Sequence, residues 1–185
     1  MKKYKIAVIV GSLRKESYNL KTAKAIMEVA PESLELELLD ISGLPMFNED
    51  LEETPPKEWV KLRDEIRAVD GLLFLTPEYN RSIPGVLKNV IDICSRPYGE
   101  NVWNGKPAAV VSVSIGAISG FGANHHLRQS LTFVNVLAMA QPEAYIGDAA
   151  NLFDDNGKLT NNSTKDFLKN FMVSFEEWVK NITNK

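Results

Sequence analysis

The amino-acid sequence predicts a single α/β domain, residues 1–185, in which a parallel sheet carries helices on both faces. Three short apolar runs indicate the sheet, because such runs are typical of strands buried on both faces: 4–10, 71–77 and 108–113. A helical pattern follows each run, and strict alternation of strands and helices is characteristic of parallel sheets. The length of the chain also suits one domain.

The first half of the chain contains two strand–helix pairs. The β-branched run 4–10 predicts a buried strand, and apolar residues at helical spacing predict a helix over 18–30 that Pro31 ends. Leucine alternates with glutamate over 34–39, as expected for a half-exposed edge strand. A long loop then leads to a helix over 57–68.

The second half repeats this alternation. The run 71–77 predicts a second central strand, and Pro84 is suited to the first turn of the next helix. The remaining predicted elements are a buried strand over 108–113, a helix over 123–139, a short strand over 143–147 and an amphipathic helix through 167–182.

Five strands in this pattern favour the flavodoxin-like order 2-1-3-4-5. Ligands of such sheets bind outside the carboxyl ends of the strands. Three loops qualify, 11–19, 76–83 and 114–122, and in this order they would lie side by side.

Composition argues against several classes of partner. The formal net charge of −3 does not favour nucleic acid or an anionic membrane surface. The run 4–10 is shorter than the apolar core of a signal peptide, and no stretch approaches the ~20 apolar residues of a membrane helix. We therefore expect a cytoplasmic protein. Cys94 is the only cysteine, which excludes an internal disulfide or a cysteine-based zinc site.

The loop GSLRKESYN at 11–19 has polar side chains where nucleotide loops have glycines. It matches neither the Walker A pattern nor the dinucleotide fingerprint. The hydroxyls of Ser12 and Ser17, the amide of Asn19 and the N–H groups of a helix start suit a phosphate monoester, and Arg14 could add a charge-assisted contact. The alternative is that Ser17 only caps the helix and Arg14 is a solvated surface charge.

The loop TPEYNRSIPG, which follows the second central strand, is rigid and mixed in character. Two prolines fix its backbone, Tyr79 offers an aromatic face, and Glu78 and Asn80 offer hydrogen-bonding ends. A flat heteroaromatic ring needs this mixture. The alternative is an ordinary turn before a helix. The third loop contains three glycines and would permit close backbone approach to a ligand.

These loops resemble those of a known family. GSLRKESYN, TPEYNRSIPGVLKNVIDICSRP and GKPAAVVSVSIG match, in order and spacing, the NAD(P)H-dependent FMN reductases, a flavodoxin-like group that includes quinone, azo-dye and chromate reductases. LPMFNEDLE and HHLRQSL are also similar, so the resemblance spans about residues 4–147.

The resemblance implies the residues of a non-covalent FMN site. The first loop would hold the phosphate, the middle loop would border the isoalloxazine, and the third loop would close the site. The predicted cofactor-binding residues are Ser12, Arg14, Ser17, Tyr18, Asn19, Pro77, Glu78, Tyr79, Asn80, Ser114 and Gly116. Arg81 departs from the family pattern. It would either attract anionic substrates, including the 2′-phosphate of NADPH, or pair with a nearby carboxylate.

The implied function is transfer of electrons from NAD(P)H through FMN to a quinone, azo compound, metal oxyanion or similar acceptor. The cofactor would carry the chemistry, so no catalytic side chain is predicted. The alternatives are a flavodoxin-type electron carrier and a flavin-binding regulator without nicotinamide turnover. The resemblance also implies a homodimer and is compatible with a homotetramer. The sequence adds the run 131–140, which would be apolar almost all round if it were helical.

Cysteine and histidine are the two residue types that could support other chemistry. Cys94 lies on the apolar stripe of a predicted helix, so we expect a core thiol. His125 and His126 are adjacent and would point about 100° apart on a helix, so we predict no metal site.

Overall fold

The computed structural model describes residues 2–184. The elements, in chain order, are β1 Tyr4–Val10, α1 Tyr18–Val29, β2 Leu34–Leu38, α2 Lys57–Arg67, β3 Gly71–Thr76, α3 Gly85–Cys94, β4 Pro107–Val113, α4 Phe121–Phe133, β5 Leu137–Ala138, β6 Ala144–Ile146 and α5 Asn162–Thr183, with short 3₁₀ turns at Glu49–Leu51 and Ala149–Asn151.

The sheet is parallel and has the predicted strand order. Its order is β2-β1-β3-β4-β5, and β6 also pairs with β4. The fifth position of the sheet is divided between two short strands. β5 pairs with the start of β4 at Pro107 and Ala108, and β6 pairs with its end at 111–113. The flavodoxin-like prediction is confirmed, with a sixth strand added to the expected five.

Alternate residues of the central strands feed two separate cores. Ile6 and Val8 of β1 face the core that α1 and α5 cover, whereas Ala7 and Ile9 face the core that α2, α3 and α4 cover. Residues 71–76 and 107–113 are buried throughout, which explains why the sequences of β3 and β4 contain apolar side chains on both faces. Cys94 is fully buried in the second core, as predicted, and burial raises the pKa of its thiol.

The predicted helix over 123–139 is wrong at its C-terminal end, because α4 stops at Phe133. Asn135 adopts the left-handed conformation, with φ 59°. The N–H of Val136 donates to the carbonyl of Leu131, and the N–H of Asn135 donates to that of Thr132. These two bonds form a Schellman motif, which ends a helix and turns the chain.

This early end also changes the environment of the run 131–140. Val136 and Met139 are buried, and residues 137–138 form β5 instead of a helical surface. The sheet therefore covers apolar side chains that the sequence pattern assigned to an exposed helix face. The run 131–140 is not an apolar helix, so it no longer supports a dimer. Subunit association has to be argued from other residues.

We expect Asn135→Ala to lower the stability of the fold by about 1–2 kcal/mol, because alanine is disfavoured in the left-handed conformation. Thermal unfolding should shift downward by several degrees. Asn135→Gly is the matched control. It also loses the side-chain hydrogen bond to Asn104 but accepts the backbone conformation, so it should be the more stable variant. Equal unfolding temperatures for the two variants would contradict this account of the helix end.

Candidate functional site

Three loops meet at one edge of the sheet, as expected from the strand order. Val10 at the end of β1 lies beside Leu75 of β3, and Thr76 at the end of β3 lies beside Ser112 of β4. The three strands therefore end at nearly the same level, and the loops that follow them converge.

A cavity of about 250 Å³ lies between these loops. All of the predicted site residues except Asn80 and Gly116 line it. The lining residues are Ser12, Arg14, Ser17, Tyr18, Asn19, Pro77, Glu78, Tyr79, Val113, Ser114 and Ile115. Val113 and Ile115 were missed by the sequence analysis. The available signal was their position on either side of Ser114, where a buried strand ends.

The first loop leads directly into the N-terminus of α1. Ser17 is buried and is the N-cap residue, and its hydroxyl accepts a hydrogen bond from the N–H of Leu20 at 3.4 Å. The N–H groups of Tyr18 and Asn19, in the first turn, have no partner within the helix. Ser17 is therefore a helix cap and a cavity residue together. The positive end of the helix dipole faces this part of the cavity.

Arg14 lies along the loop. Its guanidinium donates to the backbone carbonyl of Glu16 and lies over the ring of Tyr18, 5.3 Å from the ring centroid. The contact with Tyr18 holds the side chain beside the start of α1. A positive charge thus flanks the same part of the cavity as the helix N-terminus.

Asn19 lines the same end of the cavity. The residue is only 3% exposed, and its Oδ1 atom has no hydrogen-bond partner among the described residues. Oδ1 is a hydrogen-bond acceptor and could pair only with a donor, whereas the NH₂ half of the amide is the part that could donate to an anion. The hydroxyls of Ser12 and Ser17 and the Arg14 guanidinium make this end rich in donors. The donor set fits a phosphate monoester.

The middle loop is a tight two-residue turn. Tyr79 and Ser82 exchange two backbone hydrogen bonds, of 2.9 and 3.0 Å. Asn80 and Arg81 between them both have positive φ, 51° and 66°, as in a type I′ turn. Asn80 stands at the exposed tip of this turn and does not line the cavity.

Glu78 lines the cavity, but its carboxylate is engaged with the protein. One oxygen accepts a hydrogen bond from the Arg81 guanidinium at 2.9 Å, and the other accepts one from the N–H of Ala123 at 3.1 Å. The Arg81 side chain is 74% exposed. Of the two hypotheses for Arg81, the structure contains the pairing with a nearby carboxylate.

The third loop is tied back to the sheet. The N–H of Ser114 donates to the carbonyl of Ile146, and the N–H of Ala149 donates to the carbonyl of Ser114. The Ser114 hydroxyl accepts a hydrogen bond from the N–H of Gly116, which itself does not line the cavity. Ile115 is exposed at the mouth of the cavity.

The two adjacent histidines have different partners. His125 is hydrogen-bonded to the Tyr145 hydroxyl at 2.9 Å, and His126 to the Ser82 hydroxyl at 2.8 Å. Burial is the main cause that raises the pKa of Tyr145 to about 12, and a hydrogen bond with Glu143 is the second cause.

Across residues 2–184, no three His, Cys, Asp or Glu side chains are grouped so that they could hold a metal ion. In the same residues, no helix has the length and apolar character needed to cross a membrane.

The fold defines a flavodoxin-like protein, with a donor-rich cavity at the carboxyl edge of its sheet. Residues 4–151 match the family model for NADPH-dependent FMN reductases. The chain is 60% identical, over 96% of its length and 95% of the relative's, to a quinone reductase of Pseudomonas putida. It is 42% identical to a 2-hydroxy-1,4-benzoquinone reductase of a Burkholderia species, over 95% of this chain and 96% of that one.

Solved structures with a similar fold include flavoenzymes. The flavoenzyme NAD(P)H:acceptor oxidoreductase FerB of Paracoccus denitrificans superposes with a TM-score of 0.91, at 42% identity over 97% of this chain and 98% of the FerB chain. A Bacillus anthracis FMN-dependent NADH-azoreductase in complex with FMN, at 13% identity, shares the fold, with a TM-score of 0.63 over 94% of this chain and 99% of that one. The chain belongs to the NADPH-dependent FMN reductase family.

Proposed function

We propose that this protein binds FMN non-covalently in the cavity between the three loops and uses it to pass electrons from NAD(P)H to a quinone. The single observation that carries the proposal is the set of hydrogen-bond donors at one end of the cavity, where Ser12, Ser17 and Arg14 lie beside the start of α1. Quinone is the acceptor in the names of the two relatives at 60% and 42% identity.

The first loop would hold the phosphate of FMN. Ser12 and Ser17 offer hydroxyl donors, Arg14 offers a guanidinium, and the N–H groups of Tyr18 and Asn19 belong to a helix start. A dianion is stabilised by all of these groups together, because each one places a positive charge or dipole towards it.

The middle and third loops would border the flavin ring. Pro77, Tyr79, Val113 and Ile115 provide apolar surface, and Ser114 provides polar atoms. FMN held there would supply the redox chemistry, which is the transfer of two electrons from the nicotinamide to the acceptor. The side chains bind and orient the cofactor, so we assign no catalytic acid or base. Asn80 and Gly116 would contribute only through the backbone shape of their turns.

The alternatives are an electron carrier and a flavin-binding regulator. Both would bind FMN, so turnover is what separates them from a reductase. The relatives named as reductases match almost the whole of this chain, which favours turnover. We also propose that the protein works in the cytoplasm, because its co-substrate NAD(P)H is a component of that compartment.

We expect the FMN-loaded protein to oxidise NADH or NADPH in the presence of a soluble benzoquinone. Nicotinamide absorbance would be followed for both co-substrates, and kcat/KM would be compared between them. The control is the same concentration of free FMN, because flavin in solution also reacts with reduced nicotinamide. A rate no higher than that of free FMN with either nicotinamide would contradict the reductase function. The electron carrier and the flavin-binding regulator would then be the remaining functions.

Replacing Ser17 with Asp or Asn separates helix capping from phosphate binding. Both residues are good N-caps and have the same shape, but only Asp places a negative charge at the predicted phosphate site. We expect Ser17→Asp to raise the Kd for FMN at least about tenfold relative to Ser17→Asn, which is about 1.4 kcal/mol. Riboflavin, which has no phosphate, should bind the two variants equally. Equal FMN affinities of the two variants in a fluorescence titration would contradict a phosphate site at Ser17.

We further propose that the protein is a homodimer, assembled through the surface around Phe133. This side chain is 92% exposed at the end of α4, and nearby Tyr98 is 93% exposed. Phe133 and Val134 lie between a cavity of about 580 Å³ that reaches α3 and one of about 410 Å³ that reaches Tyr98. Large exposed apolar side chains beside concave surfaces are typical of protein interfaces. Pairing of dimers into tetramers would need a further surface.

We expect Phe133→Lys to convert the dimer to a monomer at micromolar concentration, because a buried interface would have to accept an unpaired charge. Light scattering with size-exclusion chromatography measures the mass directly. Val173→Lys is the matched control. Val173 is a partly exposed apolar residue of α5, on the opposite face of the sheet. A monomeric wild-type protein, or equal masses for the two variants, would contradict this interface.

A further inference from the structure

The helix α4 begins without a capping side chain of its own. Its N-cap residue is Gly120, which has φ 73° and no side chain to accept from the first turn. The N–H of Ala123 in that turn donates instead to the carboxylate of Glu78, 45 residues earlier in the chain. A carboxylate at this position satisfies a free N–H group and lies at the positive end of the helix dipole.

Gly122 provides the space for this contact. A Cβ atom on Gly122 would lie 3.0 Å from Oε2 of Glu78 and 3.3 Å from the carbonyl oxygen of Arg81. Both distances are shorter than ordinary van der Waals contact. A side chain at position 122 would therefore require the Glu78 carboxylate and the Arg81 carbonyl to shift by a few tenths of an ångström.

A second bond joins the same two segments one helical turn further on. Ser82 and His126 share a hydrogen bond of 2.8 Å between Oγ and Nδ1. The middle loop is thus attached to α4 on both sides of its tight turn. Both carboxylate oxygens of Glu78 have protein partners, and its side chain is only 11% exposed.

We infer that Glu78 is a positioning residue. As a remote cap of α4, it holds the middle loop in a fixed position relative to the third loop. Its carboxylate acts on the protein and not on the bound cofactor. It fixes the backbone of Pro77 and Tyr79, which form one wall of the cavity, against the helix that follows the third loop. The effect on FMN rests on the function proposed above, whereas the effect on α4 does not.

The test is a double-mutant cycle between Glu78→Ala and Gly122→Ala, measured by thermal unfolding of the full-length chain. Glu78→Ala should lower Tm by about 3–8 °C, because it removes a hydrogen bond to a charged group. Gly122→Ala should also lower Tm when Glu78 is present. In the Glu78→Ala background the added methyl meets only the Arg81 carbonyl oxygen, and alanine is the better helix former, so the same change should lower Tm by less; an equal loss in both backgrounds would overturn the cap.

Two further variants identify the group responsible. Glu78→Gln keeps an oxygen that can accept from the Ala123 N–H, so it should recover part of the Tm lost in Glu78→Ala. Arg81→Ala removes only the exposed partner, so it should lower Tm by less than about 3 °C. A loss in Arg81→Ala as large as that in Glu78→Ala would assign the effect to the ion pair and overturn the capping role.

The FMN titration provides the readout at the cavity. The Kd should rise about tenfold in Glu78→Ala, rise similarly in Gly122→Ala, and rise no further in the double variant. Additive losses of FMN affinity, or weaker FMN binding without a change in Tm, would show that Glu78 contacts the cofactor directly and would overturn the inference. If the wild-type chain binds no FMN, the proposed function fails, and the difference between the Gly122→Ala effects on Tm with and without Glu78 still supports or overturns the cap.

Discussion

The alignment of the carboxyl ends of β1, β3 and β4 is the constraint on which the rest of the structure depends. Backbone pairing of Val10 with Leu75 and of Thr76 with Ser112 makes the three strands stop at one level. Each loop then begins from a fixed point, and distant segments of sequence become neighbours. A shift of one residue in either pairing would turn every side chain of a strand to the opposite core, so the two apolar cores also protect the geometry of the site.

Most of the fold could be predicted because the burial of its strands is recorded directly in their composition. The runs that became β3 and β4 contain no charged residue, and β1 has only Lys5 near its start, while the helices between the strands have clear apolar stripes. The start of α1 after the first loop was equally predictable, since serine is a frequent N-cap residue and Ser17 does cap α1. The polar composition of that loop also predicts an anion site, which the binding measurements proposed above would test.

The remaining features depend on contacts that no local pattern records. Apolar residues at 136 and 139 continue a helical spacing, but Asn135 ends the helix and the sheet buries them. Asparagine tolerates the left-handed conformation, so the signal was present but weak. The partners of Glu78 are three and 45 residues away, and the second of them could be recognised only after α4 and the middle loop were placed side by side.

The division of the fifth strand into β5 and β6 has a consequence for behaviour at high concentration. An open sheet exposes a row of unpaired backbone groups along each border, and long flat borders recruit strands from other molecules. Here one border consists of segments only two and three residues long, and the other, β2, carries the exposed charges of Glu35 and Glu37. Neither border offers a continuous template, so the sheet is protected against growth into fibrous aggregates.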